Sequence, residues 1–280
     1  MALIAINFAD KKFKKAQHYN TWSMYHTGKV DRVIEYGPQD IDPDFAAKHR
    51  EILSQKRGFG YWLWKPYIIQ KTLREINEGD YLFYIDAGTI AVQPVSPLID
   101  AMNAAGQAVM AFELTHPEKN WTKRDAFVLM DCDAPEFFET PQRLSGYIVL
   151  KNCEATRGLV AEWLHYMEDP RIVTDMDNAL GLPNHEGFQE NRHDQTVWSL
   201  LTKKHGIPAF RDPSQYGEDR ELFSPDTQQR SPYQMTLYSH RNPKLTRTTH
   251  QLQTIAKKCH LWRALLTLKH PILAAKGKLN

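Results

Sequence analysis

Apolar residues follow two rhythms along this chain, and the rhythms alternate. Short runs such as ALIAINF (Ala2 to Phe8), RVIEY (Arg32 to Tyr36), YLFYI (Tyr81 to Ile85), QAVMAFEL (Gln107 to Leu114) and GYIVLKN (Gly146 to Asn152) are dense in β-branched and aromatic side chains and read as strands. Between them lie stretches with helical spacing. The Lys-rich segment after Asp10 carries Phe13, Ala16, Tyr19 and Tyr25, and Asp42 before Pro43 marks a helix entry for residues 42 to 55. Ile69, Leu73 and Ile76 repeat behind Pro66 in a helix expected to end at Glu78-Gly79. Leu159, Trp163 and Tyr166 are in phase within residues 153 to 169, and a last helix starts at the acidic residue of HDQTVWSLLTKKHG and stops at Gly206. Strands alternating with helices over such a length predict an α/β fold with a mostly parallel central sheet.

One run breaks its own pattern. Tyr81 to Ile85 leads straight into the carboxylate of Asp86 and the small pair Ala87-Gly88. Asp86 either caps the loop through its own backbone or faces a ligand at the carboxyl edge of the sheet, where open α/β folds bind.

Composition narrows the class. With 280 residues and 42% hydrophobic content, the chain suits one large α/β domain, here 1–248, followed by a C-terminal helical appendage, 249–280. No apolar run reaches the roughly 20 residues of a membrane span. The apolar start is followed by Lys11, Lys12, Lys14 and Lys15, the reverse of a signal peptide, so a cytoplasmic protein is expected. Cys132, Cys153 and Cys259 lie far apart without CxxC spacing, which argues against a disulfide framework or zinc cluster.

The net charge of +2 conceals an asymmetry. From Thr227 to Asn280 there are ten Lys or Arg and no Asp or Glu, leaving 25 basic against 33 acidic residues in the rest. Within the tail, residues 251–280 set Leu252, Ile255, Leu261, Leu265 and Leu268 among Lys257, Lys258, Arg263 and Lys269. That basic amphipathic pattern suits either docking on the domain or peripheral association with an anionic membrane surface. No nucleic-acid partner is expected.

Signatures of other chemistries are missing from the sequence. There is no Gly-x-Gly-x-x-Gly after the first strand, no phosphate-binding P-loop, no Gly-x-Ser-x-Gly elbow and no His-Glu-x-x-His. Asp131 and Asp133 form an Asp-x-Asp in MDCDAP, but the Pro135 that follows suggests a helix start capped by Asp133.

The residues that remain carry a resemblance. YLFYIDAGTIAVQPVSPLID resembles the segment around the metal-binding Asp-x-Asp of GT-A nucleotide-sugar glycosyltransferases, particularly the family-8 type. LSGYIVLKN is similar to that group's Asn-Ser-Gly strand, HDQTVWSLL to its Asp-Gln helix start, and YSHRNPK to its His-x-Gly-x-x-Lys. RGFGYWLWKPYII and WTKRDAFVLM also look like segments of bacterial surface-polysaccharide glycosyltransferases.

The resemblance spans residues 1 to about 245 and implies a GT-A type α/β/α sandwich. It implies transfer of a sugar from a nucleotide donor, such as a UDP-sugar, to a glycan or lipid-linked glycan at the inner face of the membrane. It places Asp194 and Gln195 at the reaction centre. Donor contacts would come from Asn7, Phe8, Ala9, Lys65, Asp86, Ala87, Gly88, Asp125, Ser145, Gly146 and Lys244, and Mn²⁺ or Mg²⁺ would sit on Asp86 and His240. Gly88 stands where the group has its second carboxylate. A catalytically silent sugar-binding module and a sugar nucleotidyltransferase are the alternatives. The second lacks its Gly-rich triphosphate loop.

Overall fold

The computed structural model describes residues 1–251, so nearly all of the 249–280 segment lies outside the described residues. Six strands form one sheet in the order β2-β1-β3-β6-β5-β7. They are β1 (Leu3–Phe8), β2 (Arg32–Tyr36), β3 (Tyr81–Ile85), β5 (Val109–Pro117), β6 (Pro141–Lys151) and β7 (Ala209–Arg211), while β4 (Thr89–Ala91) and β8 (Leu237–Ser239) pair separately. β1 runs parallel to both β2 and β3, and β5 runs parallel to β7. β6 is antiparallel to β3 and to β5, so it alone opposes the mostly parallel sheet.

Both faces of the sheet are covered, which is why its central strands read as continuous apolar runs. Ile4, Ile6, Phe8, Leu82, Tyr84 and Ile148 pack into one core with the helices Trp64–Glu75, Glu154–Met167 and Asp194–Lys204. Ala5, Phe83, Ile85 and Val149 face the opposite core, against the helix Ser96–Ala104. The two-residue period thus survives inside each apolar run, with both sides buried.

Some expected elements differ. The helix over 42 to 55 is two pieces, Pro43–Lys48 and Arg50–Leu53, with Asp42 accepting bonds from the Asp44 and Phe45 amides. It breaks at His49, whose ring lies 4.5 Å from that of Phe45 and 3.2 Å from Glu168. Asp133 does not cap a helix. The short helix Pro135–Phe138 has Ala134 at its N-cap, and Asp133 pairs with Arg124 at 2.7 Å and His185 at 3.1 Å. The pair β4 and β8 was not legible in the pattern, because three-residue strands are too short to show a period.

Candidate active site

The C-terminal ends of β1 and β3 open on a cavity of about 560 Å³, within the size range of small-molecule sites. Because β6 runs the other way, its N-terminal half supplies Ser145 and Gly146 to the same edge. The Asp86 amide donates to Gly146 O at 2.7 Å, and Asn20 Nδ2 donates to Asp86 O at 3.2 Å, so the strand exit is held from both sides. Its side chain keeps 40% of its surface open to the cavity and accepts a 2.5 Å bond from Tyr84 Oη.

Lys65 lies at the floor, only 1% exposed. Its Nζ is 2.5 Å from Asp194 Oδ2 and 3.5 Å from Asp86 Oδ1, and it donates to Ser145 O at 3.2 Å. Ser145 Oγ adds a 2.6 Å bond to the same Asp194 oxygen. One ammonium therefore sits between two carboxylates from opposite halves of the chain. Burial works against its charge, yet Asp194 and then Asp86 outweigh that and hold the amine above its ordinary range. Burial between the cavity walls in turn pushes the Asp86 carboxyl up, against the pull of Lys65.

Strained backbone borders this array. Residues 58 to 62 all have positive φ: Gly58 59°, Phe59 54°, Gly60 88°, Tyr61 51° and Trp62 59°. The segment is a left-handed turn closed by Tyr61 N to Arg57 O at 2.8 Å and Leu63 N to Gly60 O at 3.0 Å. Each L-residue in that region costs on the order of 1–2 kcal/mol, and such strain gathers where a site needs it. Glycine is obligatory at position 60, where a Cβ would lie 2.6 Å from Leu53 Cα. His193, at φ 53° and ψ −112°, is the second strained point. Its Nδ1 is 2.6 Å from Val173 O, and it sets the direction of Asp194 at the start of its helix.

Ten of the residues singled out in the sequence line the cavity together: Phe8, Ala9, Lys65, Asp86, Ala87, Gly88, Ser145, Gly146, Asp194 and Gln195. Gln195 Nε2 donates to Gln142 Oε1 at 2.7 Å. Four others are elsewhere, His240 among them. Asn7 is fully buried beneath the edge, donating to Asn20 Oδ1 and accepting from Gln17. Asp125 is also buried, and its carboxylate accepts from the Ala179 amide at 2.5 Å and the Leu180 amide at 3.3 Å, so it ties down the loop before Asp194 instead of touching the cavity. Lys244 is exposed outside the lining. The cation that the YSHRNPK segment does deliver is Arg241, together with Lys12, Lys56, Arg57 and Arg192 from other segments. Arg241 stood in the same quoted segment, and only its place beside Gly88 distinguishes it from Lys244.

No protein-family model matches the chain, and no curated protein matches it. Solved structures do. The apo xyloside xylosyltransferase 1 of mouse is similar over 85% of this chain and 96% of its own, at 11% identity and a TM-score of 0.44. The apo bifunctional glycosyltransferase WbbM is similar over 85% of this chain and 45% of its own, at 9% identity and a TM-score of 0.46. The galactosyltransferase LgtC, solved with donor and acceptor sugar analogs, is similar over 85% of this chain and 86% of its own, at 11% identity and a TM-score of 0.43.

The divalent cation implied by the family resemblance fits the residues present poorly. Among the described residues no three His, Cys, Asp or Glu groups converge on a common point. The second carboxylate position is Gly88, and a Cβ there would lie 3.2 Å from Arg241 Cα, because the His240 and Arg241 amides both donate to Gly88 O. His240 is turned to another use. Its Nδ1 accepts from the Asn242 amide at 3.0 Å, which leaves the proton of the neutral ring on Nε2, where a metal would need a lone pair. That Nε2 is buried without a hydrogen-bond partner among the described residues.

Burial lowers the imidazole from 6.5 to about 4. Since the unfolded chain then takes up the proton first, acidification through that window reduces stability. A ¹⁵N NMR titration is expected to give a midpoint near 4 for His240 and an Nε2–H tautomer at neutral pH. A midpoint above 6.5 would contradict this placement.

Proposed function

We propose that the protein is a glycosyltransferase that moves a sugar from a nucleoside diphosphate donor to a hydroxyl of a glycan or lipid-linked glycan, as in surface-polysaccharide assembly. The observation that carries the reading is the array Asp86–Lys65–Asp194 on the floor of a cavity at the carboxyl edge of the sheet. A sugar is rich in hydroxyls, which bidentate carboxylates hold well, and a diphosphate needs cations, which the rim supplies. The order of motifs along the sequence points the same way.

In the reaction, the bond between the anomeric carbon and the diphosphate oxygen breaks. The electron pair leaves with the diphosphate, which gains a negative charge. The acceptor oxygen bonds to the anomeric carbon and loses its proton to solvent or to a carboxylate. Positive charge grows at the sugar ring as the old bond lengthens, and fixed carboxylates beneath it stabilise that charge. Asp194 suits this role because Lys65 and Ser145 fix one of its oxygens, while the other makes no hydrogen bond among the described residues. Phe8, stacked on Trp64 at 3.9 Å between centroids, forms an apolar wall at the end of β1 suited to a nucleobase.

A donor screen tests the reading. UDP-, GDP- and dTDP-sugars are incubated with the protein and cell glycolipid, and products are read by mass spectrometry. One donor is expected to be consumed with a mass gain of one sugar on an acceptor. Binding of a donor with no transfer to any acceptor would favour the silent module, and consumption of a sugar phosphate with nucleoside triphosphate would favour the nucleotidyltransferase.

A further inference from the structure

The cavity is rich in cations, but they are not equivalent. Arg57 is paired with Glu190 at 2.7 Å and Asp175 at 3.3 Å. Arg192 is paired with Glu190 at 3.2 Å and lies 3.9 Å over the Trp121 ring. Lys65 is committed to Asp194 and Asp86. Arg241, Lys12 and Lys56 line the same cavity, are exposed, and make no ion pair among the described residues. Of these, Arg241 is the one set in place by backbone: it holds φ 51°, its amide donates to Gly88 O at 3.0 Å, and its guanidinium lies 5.6 Å over the Tyr216 ring.

Resting on the donor reading above, we propose that this protein grips the diphosphate with Arg241, assisted by Lys12 and Lys56, and uses no divalent cation for the task. Two features of the site converge on this. The close contact between Gly88 and the Arg241 backbone crowds any side chain at position 88, and the Arg241 side chain lines the same cavity. Lys65 Nζ also lies 3.5 Å from Asp86 Oδ1, so an incoming cation at that carboxylate would face an ammonium. A planar guanidinium binds phosphate oxygens through two parallel N–H donors, and its charge is permanent. It can therefore take up the negative charge that the diphosphate gains as the glycosidic bond breaks.

Calorimetric binding of UDP and GDP to the full chain, in EDTA and in millimolar Mn²⁺, tests the proposal. The affinities in the two buffers are expected to agree within about threefold. Arg241→Ala should weaken binding about 30-fold, equivalent to about 2 kcal/mol, with Arg241→Lys intermediate. The melting temperature of both variants should stay near that of the parent, since the side chain is exposed. Binding that needs Mn²⁺, or wild-type affinity in Arg241→Ala, overturns the proposal and leaves the donor reading standing. If no nucleoside diphosphate binds in either buffer, the donor reading falls, and the proposal with it.

Discussion

Lys65→Met is expected to cost about 3–5 kcal/mol of unfolding free energy and to abolish turnover. The methionine would keep most of the stem's packing but leave Asp194 and Asp86 without the ammonium between them, with Asp194 only 4% exposed. Breaking a buried ion pair from one side is costly because the remaining charge has no partner. The double variant Lys65→Met/Asp194→Asn removes that charge too, so it should recover a large part of the lost stability without recovering activity. Urea unfolding of the parent, both single variants and the double variant gives the coupling energy directly. If Lys65→Met unfolds at the parent's midpoint, the three groups do not form the unit described here.

The second large effect is expected at Asp194. Asp194→Asn preserves shape and the bond from Ser145 Oγ but cannot carry the charge that meets the reacting sugar. Turnover should fall about 1,000-fold, or roughly 4 kcal/mol of barrier, with nucleoside diphosphate affinity changed by less than about fivefold. Steady-state kinetics and calorimetry on one preparation separate the two quantities. A variant that keeps a tenth of its turnover would return Asp194 to the part of a plain first residue in its helix.

How much of this was legible beforehand depended on range. β3 and the exposed edge at Asp86 followed from a dense apolar run that met a carboxylate, and the helices Trp64–Glu75 and Glu154–Met167 followed from a period contained within each segment. The residues of the cavity floor were also identifiable, because Lys65, Asp86 and Asp194 sit at element boundaries that local pattern marks, and Ser145 directly precedes the apolar run from Gly146, although β6 itself starts at Pro141. What local pattern does not carry is partnership. Asn7, Asp125 and Lys244 have the same residue types as donor ligands, but hydrogen bonds to Asn20 and to the Ala179 amide place the first two in support of the site. Arg241 and Lys244 stand three positions apart in one segment, and only the approach of Gly88 decides which of them enters the cavity. The reversal of β6 was likewise invisible, since a buried strand has the same composition in either direction. The left-handed turn at 58 to 62 left a trace in Gly58 and Gly60, yet the positive φ of Phe59, Tyr61 and Trp62 follows from tertiary packing that overrides their own preference.

The bond from Lys65 to Asp194 spans 129 positions of the chain. During synthesis the first half emerges with Asp86 and Lys65 long before the ribosome has made the helix that starts at Asp194. A growing chain can therefore collapse around β1 and β3 without holding a finished reaction centre. For a protein that would handle activated sugars, this has a protective side: a copy stalled before residue 194 has only part of the charged floor. The charged floor is assembled only once the helix that starts at Asp194 has been made.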